Sequence, residues 1–270
     1  MLDAPRGISE GGLQMLSEYP IHASLAASDI PRAKAWYAEK LGLSPSFEFE
    51  DLLAYTIGPS TMTVYATPSA GTAKNTVAVQ NVADLRGEVA RLRARGVVFE
   101  DYDLPDLKTI DGIAAMDDDS ANAWFKDSEG NIISLVQRAG DTRESGISPM
   151  IAATDLGRTR AWYADKLGFE PSEELDGENL YKSGSTGFTV YETSSAGSAK
   201  NTVATWRVPD LAAEMANLRA RGVVFEDYDF GDWRTVDGVM TDAEGGLAAW
   251  ITDSEGNVLG LVQYDEGSRS

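Results

Sequence analysis

The sequence predicts an α+β fold of tandem paired βαβββ modules, four such units in all. Three observations carry this. The chain repeats itself without a gap at a shift of 126 positions. Each repeat holds two short amphipathic stretches with the same helix start and stop signals. Each of these follows one apolar β-type segment and precedes three more.

The repeat is plainest at its end, where DSEGNIISLVQ, closing at Gln137, returns as DSEGNVLGLVQ, closing at Gln263. The same shift takes Asp29 to Asp155, Trp36-Tyr37 to Trp162-Tyr163, Tyr55 to Tyr181, Tyr65 to Tyr191 and Trp124 to Trp250. It divides the chain into an N-terminal extension (1–19), a first module (20–137), a linker (138–146), a second module (147–264) and a tail (265–270). The linker is short and polar, which predicts modules packed against one another. A compact monomer that reproduces internally a dimer of single modules is expected.

Each helix is bracketed by an N-cap Asp and a Gly just past its end. The pairs are Asp29 with Gly42, Asp84 with Gly96, Asp155 with Gly168, and Asp210 with Gly222. IHASLAA, TVAVQNV, PMIAA and TVATWRV precede the helices, and segments such as AYTIG, MTVYAT, NAWFKD and NIISLVQ follow them. The DSEGN stretches are expected hairpin turns. SAGTAKNT and SAGSAKNT, which lack the glycine framework of a phosphate loop, are expected crossings between the two units of each module.

Composition narrows the function classes. No apolar run approaches the roughly 18 residues of a membrane helix, and the opening MLDAPRGISEGGLQMLSEYP lacks the basic start and apolar core of a signal peptide. With no Cys the chain needs no oxidising compartment, and a cytoplasmic location is expected. A net charge of −20 disfavours nucleic acid and anionic membrane as partners. A single His in 270 residues argues against a transition-metal site. DFG at 229–231 has no accompanying kinase loops, and DDDS at 117–120 lacks the spacing of a calcium loop.

The paired βαβββ pattern, the D-x-x-R-A-x-x-W-Y-x-x-x-L-G helix and the closing D-x-x-G-N-x-x-x-L-x-Q hairpin resemble the vicinal oxygen chelate superfamily of glyoxalase I, extradiol dioxygenases and bleomycin-resistance proteins. The resemblance implies curved mixed sheets forming concave troughs, with metal-ligand positions on the concave face at His22, Val77 and Ser134 in the first module and at Ser148, Val203 and Gly260 in the second. Of these only His22 is a usual ligand, so it is either a vestigial ligand or a pocket-wall imidazole. No metal and no other cofactor is expected, and no catalytic residue can be singled out.

Strand alternation places Ser24 and Ala26 beside His22, and Met150 and Ala152 beside Ser148. Small groups at Ser134 and Gly260 are expected to leave a roomy trough. Trp124, Trp250 and Trp206 lie on strands and suit either core or ligand wall, whereas Trp233 lies in a loop, where a ligand contact is favoured. The loops DLPDLKTIDG and DFGDWRTVDG, with Lys108 and Arg234, are either lids or ordinary surface. The expected ligand-binding set is therefore His22, Ser24, Trp124, Ser134, Met150, Trp206, Trp233, Trp250 and Gly260. The expected function is metal-independent binding of a bulky planar or amphipathic small molecule such as an antibiotic, in the manner of the bleomycin-resistance branch. The alternative is a lyase, isomerase or oxygenase acting on a small organic substrate.

Overall fold

The computed structural model describes residues 15–264, apart from 106, 117–119, 139–145, 231–232 and 244 and the side chains of Phe230 and Trp233. The linker core, the tail and the DDD of DDDS thus lie outside the described residues. So does the side chain of Trp233.

The first module begins with β1 (Ile21–Ala27), α1 (Ile30–Trp36), β2 (Phe47–Glu48), β3 (Leu52–Ile57) and β4 (Ser60–Ala66). Its second unit is β5 (Thr76–Asn81), α2 (Leu85–Ala94), β6 (Asp103–Leu104), β7 (Leu107–Lys108), β8 (Ile113–Ala115), β9 (Ala121–Lys126) and β10 (Ile132–Gln137). The second module repeats this with β11 (Ile147–Ala153), α3 (Leu156–Trp162), β12 (Glu173–Leu175), β13 (Glu178–Ser183) and β14 (Thr186–Glu192). It closes with β15 (Thr202–Arg207), α4 (Leu211–Ala220), β16 (Asp229–Phe230), β17 (Trp233–Arg234), β18 (Met240–Thr241), β19 (Leu247–Thr252) and β20 (Val258–Gln263).

All four predicted N-caps form. Asp29, for example, accepts a 2.9 Å bond from the Arg32 amide. α1 and α3 each run on into a π-helical turn, Tyr37–Leu41 and Tyr163–Leu167, which Gly42 and Gly168 end in the left-handed region at φ of 75° and 76°. Among the described residues no helix is long and apolar enough to cross a membrane.

The strands form two curled eight-stranded sheets, ordered β18-β19-β20-β15-β1-β4-β3-β2 and β12-β13-β14-β11-β5-β10-β9-β8. Each sheet therefore takes one unit from each module. The seams are antiparallel: β1 on β15, with Ile21 opposite Trp206, and β5 on β11, with Gln80 opposite Ile147. The modules are interlocked through their sheets, not merely packed side by side.

The repeated DSEGN turn is the clasp that binds the two units of a module. Buried Asp127 accepts from the amides of Glu129 and Asn131 at 2.8 and 2.9 Å and from the Tyr37 hydroxyl at 2.8 Å. The Asn131 amide group reaches the Ala26 carbonyl at 2.8 Å. Glu129 accepts from the Ser28 amide and from both Nε and Nη2 of Arg32. Burial raises the Asp127 pKa; for Glu129, burial is outweighed by the Arg32 and Ser28 bonds, so its pKa is lowered. Asp253, Glu255 and Asn257 repeat the arrangement on Tyr163, Thr154, Arg158 and Ala152.

The two crossings meet each other. The Lys74 amide donates to Ser198 Oγ at 3.0 Å, and the Lys200 amide donates to Thr72 Oγ1 at 3.1 Å. Part of the N-terminal extension is also structural: a 3₁₀ turn, Leu16–Glu18, buries Leu16 and lies against the second module, where Gly184 N donates to the Ser17 carbonyl at 2.8 Å.

One apolar cluster joins the helices to the inner faces of both sheets. Odd-numbered Ile21, Ala23, Leu25 and Ala27 enter it, which turns His22, Ser24 and Ala26 to the trough. Trp206 belongs to the cluster with none of its surface exposed. Its Nε1 donates to Ser183 Oγ at 2.9 Å, and its ring lies 5.9 and 6.2 Å from those of Phe169 and Phe188. The expectation of a ligand-facing Trp206 is therefore corrected. Its strand parity, opposite Ile21, points it into the core.

Candidate functional site

The outer face of each sheet carries one trough. In the first, a row of directly opposed residues runs Trp250, Gly260, Thr205 and His22 across β19, β20, β15 and β1. In the second, the matching row runs Trp124, Ser134, Val79 and Ser148 across β9, β10, β5 and β11. The family positions implied by the sequence are thus regrouped. His22 shares a trough with Gly260, not Ser134, because each sheet mixes the modules.

Val77 and Val203 are displaced altogether. Each sits where the pairing of its strand slips, between Thr76 and Ala78 opposite Ile132 and Ile133, and between Thr202 and Ala204 opposite Val258 and Leu259. The extra residue of such a bulge breaks the alternation. Both valines join the buried cluster, and Val79 and Thr205 take their places in the rows. Residue spacing alone carries no signal for this.

In the first trough the row is extended by hydroxyls. Ser24 Oγ lies 2.8 Å from Thr205 Oγ1, and Thr63 Oγ1 donates to Ser24 Oγ at 3.2 Å. The second trough has Thr189, Met150 and Val79 at the matching positions, so a thioether and a methyl pair replace this chain. Met150 is half-buried on that face.

His22 is partly buried. Among the described residues its Nδ1 has no partner, while the ring makes a backbone hydrogen bond with Thr61. Desolvation first, then the neighbouring Arg207 cation, lowers its pKa below the usual 6.5, so the imidazole is neutral near pH 7. Arg207 stacks over the Tyr264 ring at 6.0 Å and makes no ion pair among the described residues. Asn81 stands at its place in the second trough, which therefore has no cation there.

The expected roominess is corrected. A Cβ at Gly260 would sit 3.1 Å from Thr205 Oγ1 and 3.3 Å from the Thr202 methyl, so neighbouring threonines crowd that position. Trp250 Nε1 donates to Thr202 Oγ1 at 3.1 Å, and the Thr202 amide donates to the Tyr65 hydroxyl at 2.6 Å. Tyr228 packs edge-on to Trp250 at 5.8 Å, as Tyr102 does to Trp124 at 5.5 Å. Burial pushes the Tyr65 and Tyr191 hydroxyls up to about 12. One end of each trough is thus filled with aromatic side chains, and Trp124 is nearly buried. At the other end of the first row His22 and Arg207 are partly exposed.

The supposed lids form two-residue ladders, Asp103–Leu104 with Leu107–Lys108 and Asp229–Phe230 with Trp233–Arg234. Lys108 is held by Asp103 at 3.1 Å. Arg207, a cation that acts on His22, was not among the sequence-derived candidates. Only the β1–β15 seam brings it to His22, across 185 positions of chain.

Among the described residues no three or more His, Cys, Asp or Glu come together as metal ligands. One imidazole and one hydroxyl in the first row, and two hydroxyls in the second, do not fit the three or four donors of a divalent transition-metal site.

Comparison with known proteins agrees with this architecture. Residues 20–135 match the family described as Glyoxalase/Bleomycin resistance protein/Dioxygenase superfamily. Glyoxalase I from Zea mays has the same tandem fold, with a TM-score of 0.60 over 93% of this chain and 92% of that one, at 15% identity. The bleomycin resistance determinant encoded on transposon Tn5 matches over 44% of this chain and 96% of its own, at 17% identity and a TM-score of 0.36. A glyoxalase/bleomycin resistance protein from Catenulispora acidiphila matches over 43% and 95%, at 21% identity and a TM-score of 0.34. No curated protein matches the chain. Residues 20–135 thus form a domain of the glyoxalase/bleomycin resistance/dioxygenase superfamily, within a chain of two-module arrangement.

Proposed function

We propose that this chain, a two-module protein of the glyoxalase/bleomycin-resistance fold, is a metal-independent binding protein that sequesters a small organic molecule in its first trough. The observation that carries this reading is the row His22, Thr205 and Ser24. It offers an imidazole whose Nδ1 has no partner among the described residues, with linked hydroxyls and no carboxylate in the row Trp250, Gly260, Thr205 and His22. Such a surface supplies hydrogen bonds and shape without a charged nucleophile or base. His22 Nδ1 receives or donates one hydrogen bond, Arg207 takes an acceptor atom of the ligand, and the planar part lies along the trough toward Trp250.

The net charge of −20 disfavours ligands that are anionic overall. A neutral or zwitterionic molecule that presents one acceptor group to Arg207 satisfies both the local and the distant field. The ligand is accordingly a planar or amphipathic compound of antibiotic type, held at the His22 and Arg207 end of the trough.

The test is a thermal-shift and fluorescence titration of the full chain with planar antibiotics and related heteroaromatics, beside metal analysis of the purified protein. A binder whose affinity falls about tenfold in both His22→Ala and Arg207→Ala, with no stoichiometric metal, is the expected result. A tightly retained equivalent of zinc, iron, nickel or manganese, lost in His22→Ala, would favour the enzyme reading instead.

A further inference from the structure

The two modules build the same helix-side site and fill it differently. In the second module the site is occupied by the Trp206 indole, enclosed by Phe169 and Phe188 and anchored on Ser183. In the first module Gln80 takes the same register position, opposite Ile147 where Trp206 has Ile21. The 126-residue shift also replaces Phe169 by Leu43 and Phe188 by Met62. What remains is a cavity of about 100 Å³ between the two units of the first module.

Its walls include Leu43, Ile57, Met62, Leu135 and Ile147, with Tyr37 and Phe125 supplying aromatic surface. Gln80, half-buried, is its uncharged polar point. The rim is at α2, where Arg91 Nε donates to Glu88 Oε2 at 2.8 Å. Leu43 and Ile57 are only partly buried, whereas their counterparts Phe169 and Ser183 are fully enclosed. The chain before β1 helps enclose them, since Ser183 Oγ donates to the Tyr19 carbonyl at 2.7 Å.

We propose that this cavity binds a small uncharged single-ring aromatic molecule, the external counterpart of the indole that the second module supplies from its own chain. The cavity lies on the helix side of the sheets, away from His22. It is therefore a second site, independent of the trough. The lining is mostly apolar, and a wholly apolar cavity of roughly 150 Å³ has accepted a benzene-sized guest. A charged guest is disfavoured because Glu88 and Arg91 neutralise each other at the rim and nothing charged lies deeper. The Gln80 carboxamide favours a ring bearing one hydroxyl.

The experiment uses the full chain with benzene and phenol as probes, followed by protein-observed NMR and by the shift in Tm. Saturable one-to-one binding is expected, with phenol the tighter probe. Gln80→Trp and Met62→Phe, which fill the cavity from opposite walls, should each weaken binding at least about tenfold. His22→Ala should leave it unchanged, which separates this site from the trough. If Gln80→Trp does not fold, Met62→Phe carries the comparison. Absence of saturable binding in the wild type, or undiminished binding in the folded filled variants, overturns the proposal.

Discussion

The two modules share a backbone plan yet differ where side chains meet a void. The second fills its helix-side site with Trp206, Phe169 and Phe188; the first leaves a cavity beside Gln80, Leu43 and Met62. The troughs differ in the same manner. One carries His22, Ser24, Thr205 and Arg207, the other Ser148, Met150, Val79 and Asn81. What stays constant is the clasp of Asp127, Glu129 and Asn131 and its copy at Asp253, Glu255 and Asn257. Duplication preserved the parts that hold units together. The surfaces that could meet a ligand diverged.

The largest effect should come from erasing the packing difference. Trp206→Gln, which gives the second module the first module's residue, should cost about 3–4 kcal/mol, because a buried indole and its contacts vanish together. Gln80→Trp should change stability by less than about 1 kcal/mol, since a void receives the ring. Urea unfolding of both variants checks this, and equal costs would show that the two sites are energetically alike.

The clasps should behave as equals. Asp127→Ala and Asp253→Ala each strip several buried donors of their acceptor and should each cost about 2–3 kcal/mol. A twofold difference in cost between the copies, measured in the same unfolding experiment, would break the symmetry argued for them.

The troughs should not behave as equals. His22→Ala should weaken ligand binding by about 1.4 kcal/mol, a tenfold change in Kd, while Ser148→Ala at the matching position should leave it unaltered. Loss in both variants would mean that both troughs bind. Chelator treatment should leave Tm unchanged in either case.

The smallest expected effect is a pH dependence confined to the first trough. Folding lowers the His22 pKa from its usual 6.5, so the folded state binds fewer protons than the unfolded chain. Its contribution is present above the unfolded value and is lost as pH falls toward the folded one. Wild-type stability should therefore drop more than that of His22→Gln between about pH 7.5 and 5.5, the range in which an imidazole titrates. Glu129 and Glu255, also lowered, lose their contribution only at more acid pH, and Asp127 and Asp253, raised, act in the opposite sense.

Much of the architecture was legible in the residues. The gapless repeat and the Asp and Gly brackets determined four units and four capped helices, because these are properties of local backbone and period, while the family resemblance anchored the strand alternation that puts His22 and Ser24 on one face. Other features belonged to tertiary structure. Strands pair through space, so only the folded sheet could decide that β1 joins β15 and that His22 lies beside Arg207 and Gly260. A bulge adds one residue without any mark in composition, which is why Val77 and Val203 left the rows that the family resemblance assigned to them. Whether a tryptophan on a strand faces core or trough depends on one residue of parity, and the seam opposite Ile21 decided it for Trp206. The volume around a side chain is set by every neighbour at once. The space expected at Gly260 was thus crowded by threonines, and the space that exists lies under Gln80.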